Sequence, residues 1–322
     1  MASLGFVVGM VGGGWITEFV GWRWVYFVNV PVALVALLAA PAAITESRDE
    51  EAPRVLDLPG AITVTLGLAS LIYAVSEIPD SGWGSPATLG FGGLGAVLLS
   101  LFILAEHRSP APLVPLQAFG ERALVGPNVG IFLQSMVGLP WLYVLTLYLQ
   151  DALGRSPMEA GLLFLPMTLT GVVAASVAGR LVARIGARAM ASSGLALSAV
   201  GLLLTMGMSS DGGLSPVLSG MVVGEVGFMF CNVALTIVGS GGAGEDRKGL
   251  SAGLLNTSIQ LGNAWGLGIV ATVVAAATVG GEAASPEALV EGLRLGALTC
   301  VGFATLALPV VLFGLRDKGD RQ

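Results

Sequence analysis

The sequence predicts an all-α polytopic membrane protein of about ten transmembrane helices. Three observations predict it. Of 322 residues, 54% are hydrophobic and 11% are charged, whereas a soluble domain carries roughly 25% charged residues. The apolar residues gather into ten runs near the ~20 residues a helix needs to cross the hydrocarbon core. The Lys and Arg residues fall on alternate connections between those runs. With a mean hydropathy of +0.84, the chain has too few polar residues to coat a soluble body, so lipid has to act as the apolar solvent.

In order, the expected spans are 2–19, 24–44, 58–77, 87–105, 124–147, 160–182, 188–208, 216–240, 250–278 and 295–315. The first is rich in glycine, which lets helices pack closely in a membrane. The second opens on the aromatics Trp24, Tyr26 and Phe27. The fifth and sixth contain Pro140 and Pro166, which kink helices. The ninth is long enough to tilt or be interrupted. Ten spans put both termini on one side. If that side is the cytoplasm, twelve of the fifteen Lys and Arg lie inside, and only Arg23, Arg155 and Arg294 lie outside. This is the positive-inside pattern of a bacterial-type plasma-membrane protein. The outside connection 78–86 has no basic residue and carries Trp83, an interfacial anchor; 209–215 and 279–291 are also free of basic residues.

Two inside stretches divide the chain. One is the charged segment 45–57. The other is 106–123, where Pro110, Pro112 and Pro115 cannot continue a helix. The expected organisation is a helix pair over 1–44, a central pair over 58–105, a six-helix bundle over 124–316 and a tail over 317–322.

Composition also excludes several functions. A net charge of −6 offers no basic face for nucleic acid. Cys231 and Cys300 sit in apolar runs and pack as small hydrophobes. One histidine, His107, gives no metal-ligand spacing, and one deep acid with one histidine does not make an enzyme active site. The residues from Met1 to Val20 lack the positive start of a signal peptide and look like a membrane helix cut into by the start codon. The glycines lack the strand and spacing of a nucleotide-binding loop.

Glu225 is the sharpest functional candidate. It lies roughly 14 Å into the eighth span, near the bilayer centre, where an acidic residue costs about 3 kcal/mol on insertion scales. A carboxylate there can gain and lose a proton as a cavity opens, or attract a cationic substrate. The plain alternative is a neutral Glu hydrogen-bonded to a neighbouring helix. Asn128, Gln134, Asn232, Asn256, Gln260 and Asn263 form a second group at membrane depth. Asn256, Gln260 and Asn263 share one helix face. Such amides line a substrate cavity or join helices by hydrogen bonds. Gly5, Gly9 and Gly13 repeat every four residues and give a flat packing face. Arg180, Arg184 and Arg188 are an orientation signal or part of a gate.

Several stretches together carry a family resemblance. They are Gly5, Gly9, Gly12, Gly13 and Gly14 followed by Gly21-Trp22-Arg23-Trp24 and Phe27-Val28-Asn29-Val30-Pro31; Asp57-Leu58-Pro59-Gly60; Tyr148-Leu149-Gln150 with Gly154, Ser156-Pro157 and Pro166; Gly179-Arg180-Leu181-Val182-Ala183-Arg184-Ile185-Gly186-Ala187-Arg188; and Gly253-Leu254-Leu255-Asn256-Thr257-Ser258 with Gln260-Leu261-Gly262. In order and spacing they resemble the fourteen-span drug:proton antiporter family of the major facilitator superfamily. The resemblance covers the last ten of the family's fourteen helices. It implies a partial major facilitator fold and efflux of small amphipathic molecules by alternating access. The proton gradient, and no cofactor, is then the energy source. It identifies Gly5, Gly9, Gly13 and Gly14 with the antiporter packing motif, and Gly179, Arg180, Arg184, Gly186 and Arg188 with a cytoplasmic loop that braces neighbouring helices. It also implies that four N-terminal helices are missing from this sequence. The competing expectation is a membrane protein that does not transport: a remnant or an assembly partner. Partners are the small-molecule substrate, protons and the lipid bilayer; self-association and substrate identity stay open.

Overall fold

A computed structural model describes residues 2–43, 57–110, 112–241, 248–278 and 285–315. All regular structure among these residues is helical. Among the described residues, nine helical stretches are long and apolar enough to cross a membrane. The first expected span, at 2–19, is not among these nine; it forms α1 (Ala2–Phe19), whose 18 residues sit at the short end of the ~17–25 that span a bilayer. The second span is divided. Helix α2 (Arg23–Phe27) stops at Val28 and α3 (Asn29–Ala43) resumes, with Pro31 in its first turn, where a missing N–H costs nothing.

The central pair is α4 (Leu58–Ser76) and α6 (Pro86–Arg108), joined through the short α5 (Ile78–Ser81). Asp57 caps α4, its Oδ1 accepting from Gly60 N at 2.8 Å, and Ser85 caps α6 by accepting from Thr88 N at 3.0 Å. Gly67 and Gly95 let the two helices approach, and Tyr73 meets Phe91 with ring centroids 4.4 Å apart. Helix α6 runs to Arg108, past the expected boundary at 105, because no helix-breaking residue occurs before Pro110. A 3-10 turn (Leu116–Gly120) leads on to the bundle.

The bundle comprises α7 (Arg122–Leu147), α8 (Pro157–Leu163), α9 (Leu165–Ile185), α10 (Ala187–Thr205), α11 (Ser215–Gly241), α12 (Lys248–Thr278) and α13 (Pro286–Gly314). Helix α7 ends in a π-helical turn, Tyr148–Ala152. Helices α8 and α9 form one span broken at Phe164, just before Pro166, whose ring disfavours the preceding helical hydrogen bond. Ser156 caps α8 with a complete capping box. Helix α12 runs 31 residues without interruption. Helix α13 begins at Pro286 rather than 295, because Ser285 caps it by accepting from Ala288 N.

The core lies inside this bundle, around Trp141, Tyr148, Phe164, Leu202, Met221 and Leu293. Cys231 and Cys300 are both fully buried thiols. The Tyr148 hydroxyl donates to Ser209 O at 2.9 Å, and Arg294 donates to Met208 O from both Nη2 and Nε, at 2.6 and 3.2 Å. These bonds tie the α10–α11 connection to the ends of α7 and α13. The central pair rests on α12, where Gly268 admits Val75 of α4. Helix α1 rests on α8 and α9. Helix α3 is exposed on every side, Leu38 to 78% and Val35 to 67%.

Candidate functional site

The site is built by glycines. A Cβ placed on Gly194 of α10 would come within 2.6 Å of the Cys231 backbone N, and one on Gly201 within 2.7 Å of Gly220 O. Helices α10 and α11 therefore meet backbone to backbone, as small residues allow in membranes. Ser198 Oγ donates across this contact to Gly224 O at 3.1 Å. From another side, the Trp141 indole of α7 fills the space beside Gly224. With those faces occupied, Glu225 is directed at α9. There Gly171 leaves room for the carboxylate: a Cβ on Gly171 would lie 2.5 Å from Glu225 Oε1. Glu225 is 5% exposed. Its carboxylate has no hydrogen-bond partner among the described residues, so the interhelical bond of the plain alternative is not seen there. A buried carboxylate with no fixed counter-charge among the described residues is suited to taking up and releasing a proton, or to meeting a cation.

The amides separate into two kinds. Gln134 is buried and donates from Nε2 to Phe228 O at 2.7 Å, joining α7 to α11, while its Oε1 has no partner. Asn128 donates from Nδ2 to Leu124 O at 2.8 Å and accepts at Oδ1 from Ser258 Oγ at 3.0 Å, joining α7 to α12. Asn128 and Ser258 line a cavity of about 240 Å³, otherwise walled by apolar side chains such as Phe119, Leu124, Phe132, Leu254 and Leu261. Asn256 and Gln260 are exposed and Asn263 half-buried, so the predicted stripe runs along an open face of α12, away from this cavity; Asn232 is half-buried on α11. The expected candidates are thus not gathered into one pocket. Sequence reasoning missed Gly171, Ser198 and Ser258. Nothing in a lone glycine or serine marks it as the neighbour of a residue on another helix.

Of the packing glycines, Gly5, Gly9 and Gly13 have open space where a Cβ would project, and Gly14 alone meets another helix, at Pro157 O. The face that packs here runs through Met10 and Gly14 rather than along the every-fourth row. In the loop motif, Gly186 ends α9 at φ +83°, a left-handed conformation that favours glycine. Gly179 faces open space. Arg180 and Arg184 are exposed and Arg188 is half-buried. Arg184 lies in the last turn of α9, where a cation complements the helix dipole.

The sequence profile of the Major Facilitator Superfamily matches residues 1–267. The chain belongs to the Major Facilitator Superfamily. It is a multi-pass membrane protein of that superfamily, similar to proteins named for antibiotic resistance or export. It is 31% identical to the tetracenomycin C resistance and export protein of Streptomyces glaucescens, over 83% of this chain and 50% of that protein. It is 33% identical to the puromycin resistance protein of Streptomyces alboniger, over 96% of this chain and 63% of that one. A cephamycin export protein of Amycolatopsis lactamdurans is also 33% identical, over 88% of this chain and 59% of the relative. The chain therefore spans between half and two thirds of the length of these relatives.

Proposed function

We propose that this protein is a secondary active exporter of small amphipathic molecules, working by alternating access and driven by proton exchange, with Glu225 as the proton-coupling or cation-binding group. The observation that carries this reading is the Glu225 carboxylate, buried part-way along α11 against Gly171 with no fixed partner among the described residues. Membrane-embedded acids are expensive and mark ion or substrate pathways. Membership of the superfamily and the relatives' names (tetracenomycin C, puromycin, cephamycin) support export of small molecules. Twelve basic residues against three orient both termini to the cytoplasm. In that orientation the cavity beside Asn128 and Ser258 opens in the cytoplasmic half, where an amphipathic molecule enters from the inner leaflet. The fourteen-span architecture belongs to this proposal too.

The test is antibiotic susceptibility in a bacterium lacking its own pumps. Expression of the protein raises the inhibitory concentration of several antibiotics. Glu225→Gln, inserted at equal level, removes that protection. Equal protection by both would take Glu225 out of the mechanism.

One observation favours the second reading, an assembly partner without transport of its own. Helix α3 presents apolar side chains all round, with none of its span buried. That reading predicts full membrane insertion and no protection against any antibiotic.

A further inference from the structure

Among the described residues, the segment 2–43 is held to the rest of the molecule through α1, which packs on α8 and α9. The seam is tight in its middle and polar at one end. In the middle the two helices exchange glycines for carbonyls. A Cβ on Gly14 would come 2.6 Å from Pro157 O, and one on Gly161 would come 2.9 Å from Met10 O. At the end, Glu18 reaches from the last turn of α1 to the start of α8. Its Oε2 accepts from Ser156 Oγ at 2.5 Å and from Met158 N at 2.9 Å.

The start of α8 explains why this carboxylate fits. Every helix opens with N–H groups that lack an intrahelical partner. Here Ser156 N is satisfied by Glu159 Oε2 at 3.1 Å, and Glu159 N by Ser156 Oγ at 3.3 Å. Pro157 has no N–H. Met158 N is left over, and Glu18 supplies its acceptor while also accepting a hydrogen bond from the Ser156 hydroxyl. Both bonds end on an ionised oxygen, the stronger class of hydrogen bond. Arg155 is engaged locally with Glu159, at 4.0 Å. The seam is otherwise apolar and small-residue contact, with no directional bond among the described residues. The middle of the seam is backbone-to-backbone contact at Gly14 and Gly161 with the Met10 side chain packed beside it, so its directional bonds lie at the polar end.

We propose that Glu18 is a positioning residue that clamps α1 to α8 and holds this seam closed, so that release of the Glu18 bonds is a step in opening the molecule on that side. The proposal rests on the exporter reading for its place in a transport cycle, but the clamp itself is read from the seam.

The experiment measures opening without measuring transport. Met10→Cys places a thiol in the seam, where Met10 is half-buried and packs against the core. Cys231 and Cys300, both fully buried, stay in place as internal reporters of an intact fold. A membrane-impermeant maleimide is applied to the protein in native membrane vesicles of either sidedness, and the labelled thiols are identified by peptide mass. With Glu18→Ala, position 10 is alkylated several-fold faster than with Glu18 present, while Cys231 and Cys300 remain unlabelled. Glu18→Gln keeps an acceptor oxygen without the charge and falls between. Ser156→Ala removes one of the two bonds and also falls between. An unchanged rate at position 10 in Glu18→Ala overturns the clamp. So does a gain accompanied by labelling of Cys231 and Cys300, since the residue would then support the fold as a whole. If position 10 opens as predicted yet no antibiotic protection is found, the clamp stands and the exporter reading fails. If protection is found and the rate is unchanged, the reverse holds.

Discussion

Gly171→Ala moves a carboxylate without removing it. The added methyl would sit 2.5 Å from Glu225 Oε1, and a glutamate side chain is long enough to swing aside. We expect the variant to insert normally and lose part of its export activity, intermediate between wild type and Glu225→Gln, measured as dye efflux at matched protein level. Export equal to wild type would show that the carboxylate has no need of its present position. At the loop end of the bundle, Arg294→Ala leaves Met208 O without both of its guanidinium bonds. A hydrogen bond to a charged group contributes about 1.5–3 kcal/mol, less here because Arg294 is part-exposed. Thermal unfolding in detergent will show a lower midpoint, with Tyr148→Phe smaller in the same direction. Glu225 was visible in the sequence because an acid in an apolar run is conspicuous. Gly171 was not, because its meaning comes from a neighbour on another helix. Gln134 and Asn128 were visible as buried amides, but composition alone does not distinguish lining a cavity from joining two helices, and the structure has both residues joining helices.

At the level of the helix, α10 and α11 supply the sharpest contrast. Gly227→Ala drives a methyl into the backbone of α10 at Ser198 and Gly194, where neither helix can yield without separating. Expression and thermal midpoint both fall. Gly179→Ala meets open space on an exposed helical turn, and alanine is favoured over glycine there by roughly 0.5–1 kcal/mol, so the midpoint holds or rises slightly. Both are single methyl additions to transmembrane helices, so fluorescence-detected size exclusion of the pair isolates the packing. Helix positions were largely legible from the runs of apolar residues, and their ends less so. Helix α13 starts at Pro286, well before its apolar run, because a serine cap and a proline can open a helix in polar surroundings. The second span breaks at Val28 and the sixth at Phe164, each a few residues before a proline. The glycine row of α1 was read as a packing face from its period; the actual contact at Gly14 depends on where α8 lies, which no period within α1 encodes.

Over the whole molecule, the distribution of Lys and Arg makes a topological prediction. Asp80→Cys, on the exposed α5 connection, will be alkylated from outside intact cells, and Arg184→Cys, on the exposed end of α9, only after permeabilisation. The opposite pattern would invert the molecule and place the Asn128 cavity on the outer side. The positions of the apolar helices were legible because each obeys a local rule of length and hydropathy. How α1, the central pair and the bundle sit against one another was not, because those contacts pair residues far apart in sequence, such as Gly14 with Pro157 and Gly268 with Val75.

Proton-coupled export through Glu225 makes a direct prediction. The direct test is purified protein in proteoliposomes with an imposed pH gradient, following internal pH when an amphipathic dye is added. A dye-dependent proton flux is expected, vanishing in Glu225→Gln while dye binding persists. Dye movement with no proton flux, or an equal flux in Glu225→Gln, would contradict it.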